Sequence, residues 1–219
     1  MRPKRTVLVA GTGTDIGKTW VSARVLTALR EAGATVAARK LAQSFDPGDD
    51  PDGLDAAVLG RASGEPPQVV CPRHRWYEAA MAPPMAAARL GRPPFTVAQL
   101  VGELAWPAGP VDVGLVETAG GVRSPQADDG DVMTLCEALK PDLIVLVADA
   151  GLGTINSVRL SIGVLPAGPV VVLNRFDPSN HLHVSNRIWL TERDGFHVVA
   201  LPDDTAALLD LVRDQRPST

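Results

Sequence analysis

The segment Gly11-Thr12-Gly13-Thr14-Asp15-Ile16-Gly17-Lys18-Thr19 has the residue types of an anion cradle. Glycines let consecutive N–H groups turn toward one point, and a helix starting there adds partial positive charge. Lys18 is spaced to reach the β- and γ-phosphates of a nucleoside triphosphate, and the Thr19 hydroxyl to ligate Mg²⁺. The spacing is G-x5-G-K-T from Gly11, one residue longer than the common G-x4-G-K-[ST], since Thr12 stands five before Gly17. A turn that bound nothing would have no use for Lys-Thr at the opening of a helix. Residues 13–19 are therefore read as the ATP-binding loop.

Mg²⁺–ATP chemistry needs carboxylates near the metal and fixed positive charge near the phosphates. Glu117 ends an apolar run and precedes Thr118-Ala119-Gly120-Gly121, where a strand-end metal partner belongs. Asp46, Asp49, Asp50, Asp52 and Asp55 form an acidic stretch. Most of it reads as a solvated loop, but Asp55 enters a helix, and spacing alone leaves it between metal partner and solvated side chain. Lys40, at the end of the second apolar run, either points at the same crevice as Lys18 or snorkels at the surface. The turn Gly151 to Asn156 offers free N–H groups at a helix start, an anion site of low specificity. Asn174 and Pro202 are candidates for the nucleobase pocket by position only. His181-x-His183 has no Cys or His cluster near it and reads as surface polarity rather than a metal site.

These residues need elements to position them. Short β-branched runs at 6–10, 35–39, 112–117, 142–148, 169–174 and 197–201 are nearly continuous and apolar, as in a parallel sheet covered on both faces. Helical spacing between them predicts helices at 18–32, 54–63, 83–90, 96–105, 131–139, 154–165, 184–193 and 204–213. In the first, Val21, Val25, Ala28, Leu29 and Ala32 form one apolar stripe and Gly33 a stop. The stretch 64–80, with Pro66, Pro67 and Pro72, reads as a long irregular connection. The alternation predicts a single α/β domain over 1–219, doubly wound, with a mainly parallel sheet and helices on both faces, of the P-loop NTPase type. Ligands in such folds sit at the carboxyl ends of the strands, where the candidates fall.

Composition narrows the class. The chain has 219 residues and a formal charge of -4, which argues against nucleic-acid or anionic-membrane binding. No window approaches the ~18 apolar residues of a membrane span, and the first apolar run is too short for a signal segment, so a cytoplasmic location is expected. Cys71 and Cys136 are far apart and read as buried thiols. Of the 21 basic residues, 17 are Arg and 4 are Lys. Arg supplies the ordinary surface charge, while Lys18 and Lys40 stand where a triphosphate would lie. A compact ammonium on a flexible stem is not interchangeable there with a guanidinium.

Taken together, these residues resemble the dethiobiotin synthetase family. That family carries G-T-x-T-[DE]-x-G-K-T, matched by Gly11 to Thr19, and a lysine opening K-P-V-x-[ST]-G, here Lys40 to Phe45. Its helical Asp is matched by Asp55, its V-E-G-A-G-G by Val116 to Gly121, and its L-G-[TC]-[IL]-N-H by Leu152 to Ser157. The P-x-x-A-A and G-R-P patterns resemble Pro84 to Pro93. The resemblance spans about residues 5–175.

It implies an ATP-dependent ring closure of 7,8-diaminopelargonate with CO₂, part of biotin synthesis, through a carbamate and a carbamic–phosphoric anhydride. It implies that Lys18, Lys40 and Thr14 act in catalysis, and that Thr19, Asp55 and Glu117 serve Mg²⁺. Lys40 and Ser44 would meet the diamine. The backbone of Gly153, Thr154, Ile155 and Asn156 would bind the substrate carboxylate from a second subunit, which implies a homodimer.

Besides Ser157 in place of histidine, three positions depart from the family pattern: Leu41 stands for proline, Phe45 for glycine and Thr118 for glycine. Phe45 is expected to reshape the substrate half of the site. The competing readings are a related C–N ligase on another amine or amide, a synthetase amidating a large cofactor acid, and an ATPase switch of the septum-positioning or partition type. The last usually carries a lysine early in the loop, which this chain lacks.

Overall fold

The computed structural model describes residues 1–166 and 168–213. Its strands are β1 (Arg5–Gly11), β2 (Val36–Lys40), β3 (Gln43–Ser44), β4 (Trp76–Tyr77), β5 (Val113–Glu117), β6 (Leu143–Asp149), β7 (Val170–Asn174) and β8 (Val198–Ala200). Its helices are α1 (Lys18–Glu31), α2 (Asp55–Ser63), α3 (Pro67–Val70), α4 (Pro83–Arg89), α5 (Val97–Gly102), α6 (Val132–Leu139), α7 (Thr154–Ile162), α8 (His181–Ile188) and α9 (Thr205–Arg213). One sheet of six strands runs in the order β2-β5-β1-β6-β7-β8, with every pairing parallel.

Side chains alternate across the sheet, and each face is buried under helices. Val7 and Val9 of β1 join the cluster containing Val21, Val25, Leu26 and Leu29 of α1. Leu8 and Ala10 join the opposite cluster with Val132 and Leu135 of α6. Both faces are dry, so the strands read as unbroken apolar runs rather than alternating ones. The predicted stripe of α1 is corrected in detail, because Leu26 and Ser22 are buried while Ala32 is exposed. Gly33, with φ +83°, ends the helix by closing Ala34 N–H onto the Leu29 carbonyl at 3.0 Å.

The 64–80 stretch is more ordered than its prolines suggested. It contains α3, a 3₁₀ turn at Arg73–Arg75 and β4, which pairs parallel with β3. A two-residue strand has no periodicity to detect, and its partner lies over thirty residues away. Arg75 is held there by a bidentate pair with Glu103, at 2.8 and 2.6 Å.

Glu65 in the same stretch covers the edge strand β2. It accepts from Ala38 N–H at 2.8 Å and pairs with the buried Arg39 guanidinium at 2.8 Å. That blocks part of an edge open to further pairing.

Other boundaries also moved. The predicted helix 184–193 begins at His181, where Asn180 caps Leu182 N–H at 3.0 Å, and passes into a π-helical turn at Trp189–Arg193. The helix predicted at 154–165 ends at Ile162 before Gly163. Residues 96–105 form a helix only to Gly102, started by a Thr96–Gln99 capping box. Cys71 and Cys136 are both buried and free. No helix among the described residues is long and apolar enough to cross a membrane.

Candidate active site

β1 delivers the phosphate loop, which doubles back tightly at Gly11 and Gly17. A Cβ on Gly11 would lie 2.7 Å from Ile16 Cδ1, and one on Gly17 would lie 2.1 Å from Asn174 Nδ2. Gly17, at φ +88°, also starts α1 in the left-handed region that side chains disfavour. Lys18 then opens the helix and folds back over the loop, donating to the Gly13 carbonyl at 2.8 Å.

Strand register brings the other charged groups to this point. Lys40 and Glu117 are direct partners in the β2–β5 pairing, and Val9 pairs with Glu117 in β1–β5. The Lys40 ammonium lies 2.9 Å from Glu117 Oε1, 2.6 Å from Asp55 Oδ2 and 3.3 Å from the Thr118 carbonyl. Asp55 reaches the cluster as the first residue of α2. Its helix is fixed by Gln43, whose side-chain oxygen accepts from Ala56 N–H at 2.9 Å. Thr19 Oγ1 is 2.6 Å from Asp55 Oδ1 and 2.9 Å from Glu117 Oε1. Ser22, one turn along α1 and fully buried, donates to Glu117 Oε2 at 2.7 Å.

The electrostatics follow from that geometry. Burial works against the Lys40 charge, but Asp55 and Glu117 outweigh it and hold the ammonium above the ordinary lysine range. Lys18 has no such partner at hydrogen-bond distance. Burial, and then the Lys40 charge, lower it to about 8. Desolvation of the half-buried Asp55 works against its charge, yet Lys40 and the Thr19 hydroxyl hold it below the usual carboxylate range.

Thr19, Asp55 and Glu117 form a hard-oxygen donor set. The single Thr19 proton can serve one carboxylate at a time, so the second close oxygen pair has no proton between them. A cation relieves that arrangement, and one or two carboxylates with a hydroxyl and phosphate oxygens is a set Mg²⁺ accepts. The residues therefore fit the ion. Elsewhere among the described residues, no cluster of three His, Cys, Asp or Glu could hold a metal. His183 instead accepts from Asp177 N–H at 3.1 Å.

A cavity of about 720 Å³ opens beside this cluster. Its lining combines Thr14, Asp15, Gly17, Lys18 and Thr19 of the phosphate loop with Lys40, Asp55, Ser44, Phe45, Met81 and Pro83. Ser44 Oγ is buried with no hydrogen-bond partner.

Of the three departures from the family pattern, only Phe45 lies in the cavity wall. Its ring meets Trp76 edge-on, with centroids 6.4 Å apart. Leu41 is buried in the core, and Thr118 turns its hydroxyl back to the Val9 carbonyl at 3.2 Å. Phe45 is thus the one of the three placed to reshape the pocket, as its size led one to expect.

Gly13, Ile16, Glu117, Asn174, Pro202 and the Gly153–Asn156 turn are sequence candidates that do not line the cavity. Asn174 is buried and its amide donates to the Ile16 carbonyl at 2.9 Å. Pro202 is exposed after β8, its carbonyl accepting from Thr205 Oγ1 at 2.7 Å. Gly153, Thr154, Ile155 and Asn156 start α7 beyond the end of β6, next to Leu152, which is 92% exposed.

Sequence reasoning missed Ser22 and Arg175. Ser22 stands three residues after Thr19 on the inward face of α1, a spacing that could have found it. Arg175 follows β7, lines the cavity and bonds to the phosphate loop, and no local pattern announces it.

Comparison with known proteins adds to this geometry. A family model described as an AAA domain matches residues 5–194. Proteins named ATP-dependent dethiobiotin synthetase BioD are similar over most of the chain. The one from Caulobacter vibrioides (strain NA1000 / CB15N) is 39% identical over 166 residues, 74% of each chain. Those from Haloferax mediterranei and Anaeromyxobacter sp. (strain K) are each 35% identical, over 89% and 92% of this chain and 82% and 92% of their own.

Among solved structures, the chain superposes on the signal recognition particle receptor FtsY from Elizabethkingia anophelis with a TM-score of 0.53 at 16% identity, covering 90% of this chain and 57% of that one. Chloroplast FtsY from Physcomitrella patens gives 0.51 at 16%, covering 98% and 66%. At such identity the likeness is one of fold, a P-loop α/β sheet.

Proposed function

The chain belongs to the dethiobiotin synthetase family, and from that premise we propose that it closes the ureido ring of dethiobiotin from 7,8-diaminopelargonate, CO₂ and ATP. It is an ATP-dependent ligase of biotin synthesis. The observation that carries the finer reading is the Lys18–Lys40–Thr19–Asp55–Glu117 cluster at the junction of phosphate loop and cavity.

One substrate amine takes up CO₂ as a carbamate and releases a proton. The carbamate oxygen attacks the γ-phosphorus, and ADP leaves. The second amine attacks the carbonyl of the mixed anhydride, expelling phosphate as the ring closes. No protein nucleophile is required, so the chain's task is positioning and charge neutralisation. Lys18 and the N–H groups of residues 13–19 hold the phosphates. Lys40 stands between the γ-phosphate and the carbamate, Thr14 lines the phosphate end, and Ser44 Oγ meets the diamine. Thr19, Asp55 and Glu117 would hold Mg²⁺, which would supply charge stabilisation on the phosphate oxygens. Asn174 and Pro202 are proposed to border the nucleobase, beyond the phosphate end of the cavity.

A homodimer follows from the same reading. Gly153 to Asn156 lie away from their own chain's cavity, so a second subunit brings them to the substrate carboxylate. Sedimentation equilibrium tests this, and a monomer at working concentration rejects it.

The decisive assay is phosphate release with ATP, Mg²⁺ and bicarbonate, with and without 7,8-diaminopelargonate, and dethiobiotin detected by mass spectrometry. Absence of diamine stimulation rejects the substrate assignment. Phe45 in the cavity wall favours one alternative, a ligase of the same chemistry on a different amine. Activity on another diamine in that assay would select it.

A further inference from the structure

We propose that Arg175 is a positioning residue for the phosphate-binding loop, holding the Asp15 carbonyl outward so that the loop's N–H groups stay turned toward the phosphates. Its Nη2 donates to the Asp15 carbonyl at 2.6 Å, and its Nη1 donates to Asp149 Oδ2 at 2.9 Å. Asp149 is itself fixed, its Oδ1 accepting from Gly151 N–H at 2.8 Å. The guanidinium is thus strung between an anchored carboxylate at the end of β6 and the tip of the loop. The adjacent Asn174 side chain holds the next carbonyl, that of Ile16, at 2.9 Å.

Consecutive carbonyls of the loop are therefore bound by the last residue of β7 and the residue after it. In a trans peptide the C=O and the N–H of the next residue point in opposite directions. Fixing the Asp15 and Ile16 carbonyls toward β7 turns Ile16 N–H and Gly17 N–H the other way, away from β7. Neither N–H has a hydrogen-bond partner among the described residues, which suits an anion ligand.

The backbone carries the same signature at both ends of the contact. Asp15 and Arg175 each have φ +57°, and only one other non-glycine residue among those described, Lys140, has positive φ. Such conformations persist only where surrounding bonds impose them. Arg175 also lines the cavity, so its contact with the loop borders the proposed nucleotide site.

This inference rests on the nucleotide site proposed above. It is tested by calorimetric titration of the full chain with ADP and with a non-hydrolysable ATP analogue. Arg175→Ala is expected to weaken both about tenfold, the weight of one charge-assisted hydrogen bond. The ratio of the two affinities should stay unchanged, the thermal midpoint should hold, and the KM for ATP should rise more than kcat falls. Asp149→Ala should act in the same direction by less, and add nothing to Arg175→Ala in the double variant. Arg175→Lys should restore part of the affinity.

Affinities within twofold of wild type in Arg175→Ala would overturn the proposal. So would a loss confined to the ATP analogue, which places the guanidinium on the γ-phosphate, or tighter binding in Asp149→Ala. A wild-type chain that binds neither nucleotide overturns the site reading and this inference with it. Wild-type binding with Arg175→Ala unaffected overturns this inference alone.

Discussion

Lys40 Nζ lies 2.6 Å from Asp55 Oδ2, joining the last residue of β2 to the first residue of α2 at the mouth of the phosphate loop. The same ammonium is the close cation for Glu117, which is fully buried. Lys40→Ala should therefore fail twice. Loss of a fixed charge facing the reacting phosphate is expected to reduce phosphate release on the order of 10²- to 10³-fold. Leaving Glu117 without its ion pair should cost about 3 kcal/mol, read from urea unfolding. Turnover within a few-fold of wild type would remove Lys40 from the reaction.

Asp55 tests the metal assignment more cleanly, because it is the more accessible carboxylate of the set. Asp55→Asn keeps the shape and the helix start while halving the carboxylate charge around Thr19. The Mg²⁺ concentration for half-maximal activity is expected to rise roughly tenfold or more, since affinity at such sites follows ligand charge. An unchanged Mg²⁺ titration at reduced activity would place Asp55 on Lys40 alone.

Phe45 tests the substrate half of the proposed site. Its ring lines the cavity along with Ser44 and Met81 and packs edge-on against Trp76. Phe45→Gly should raise the KM for the diamine about tenfold through lost contact area and leave the KM for ATP unchanged. A lower KM for the diamine would show instead that the ring excludes this substrate, and would favour a ligase for a different amine.

The thiols supply a pH test independent of activity. Burial pushes Cys71 up to about 12 and Cys136 up to about 11. A thiol whose pKa is raised in the folded chain contributes stability that is full below its unfolded value near 8.5. That stability is lost as pH climbs toward the folded value. Unfolding free energy should thus fall between pH 8 and pH 10, by about 2 kcal/mol for Cys71 alone. The fall should be smaller in Cys71→Ala. At pH 8 an aromatic disulfide reagent should label neither thiol until the chain is unfolded.

The parts of this protein set by neighbouring residues were legible in its sequence. Strand, phosphate loop and helix succeed one another from Arg5 to Glu31, and the loop's chemistry lies in the order of its own glycines, Lys18 and Thr19. Unbroken apolar runs declared a sheet buried on both faces, because hydrophobic burial acts on each strand wherever it sits in the sheet. The two-residue β4 was not legible, since pairing across a long separation decides it.

The convergence of the site belongs to tertiary structure alone. Lys40, Asp55 and Glu117 meet because β5 lies between β2 and β1 and the register sets Lys40 opposite Glu117. No local pattern encodes strand order. The same holds for Arg175 on the Asp15 carbonyl, two residues separated by 160 positions and joined only once β7 packs beside β6. Local sequence suffices where a motif is read within one βα unit. Where a charge must be neutralised by a residue from another unit, only the closed sheet determines which one is near enough.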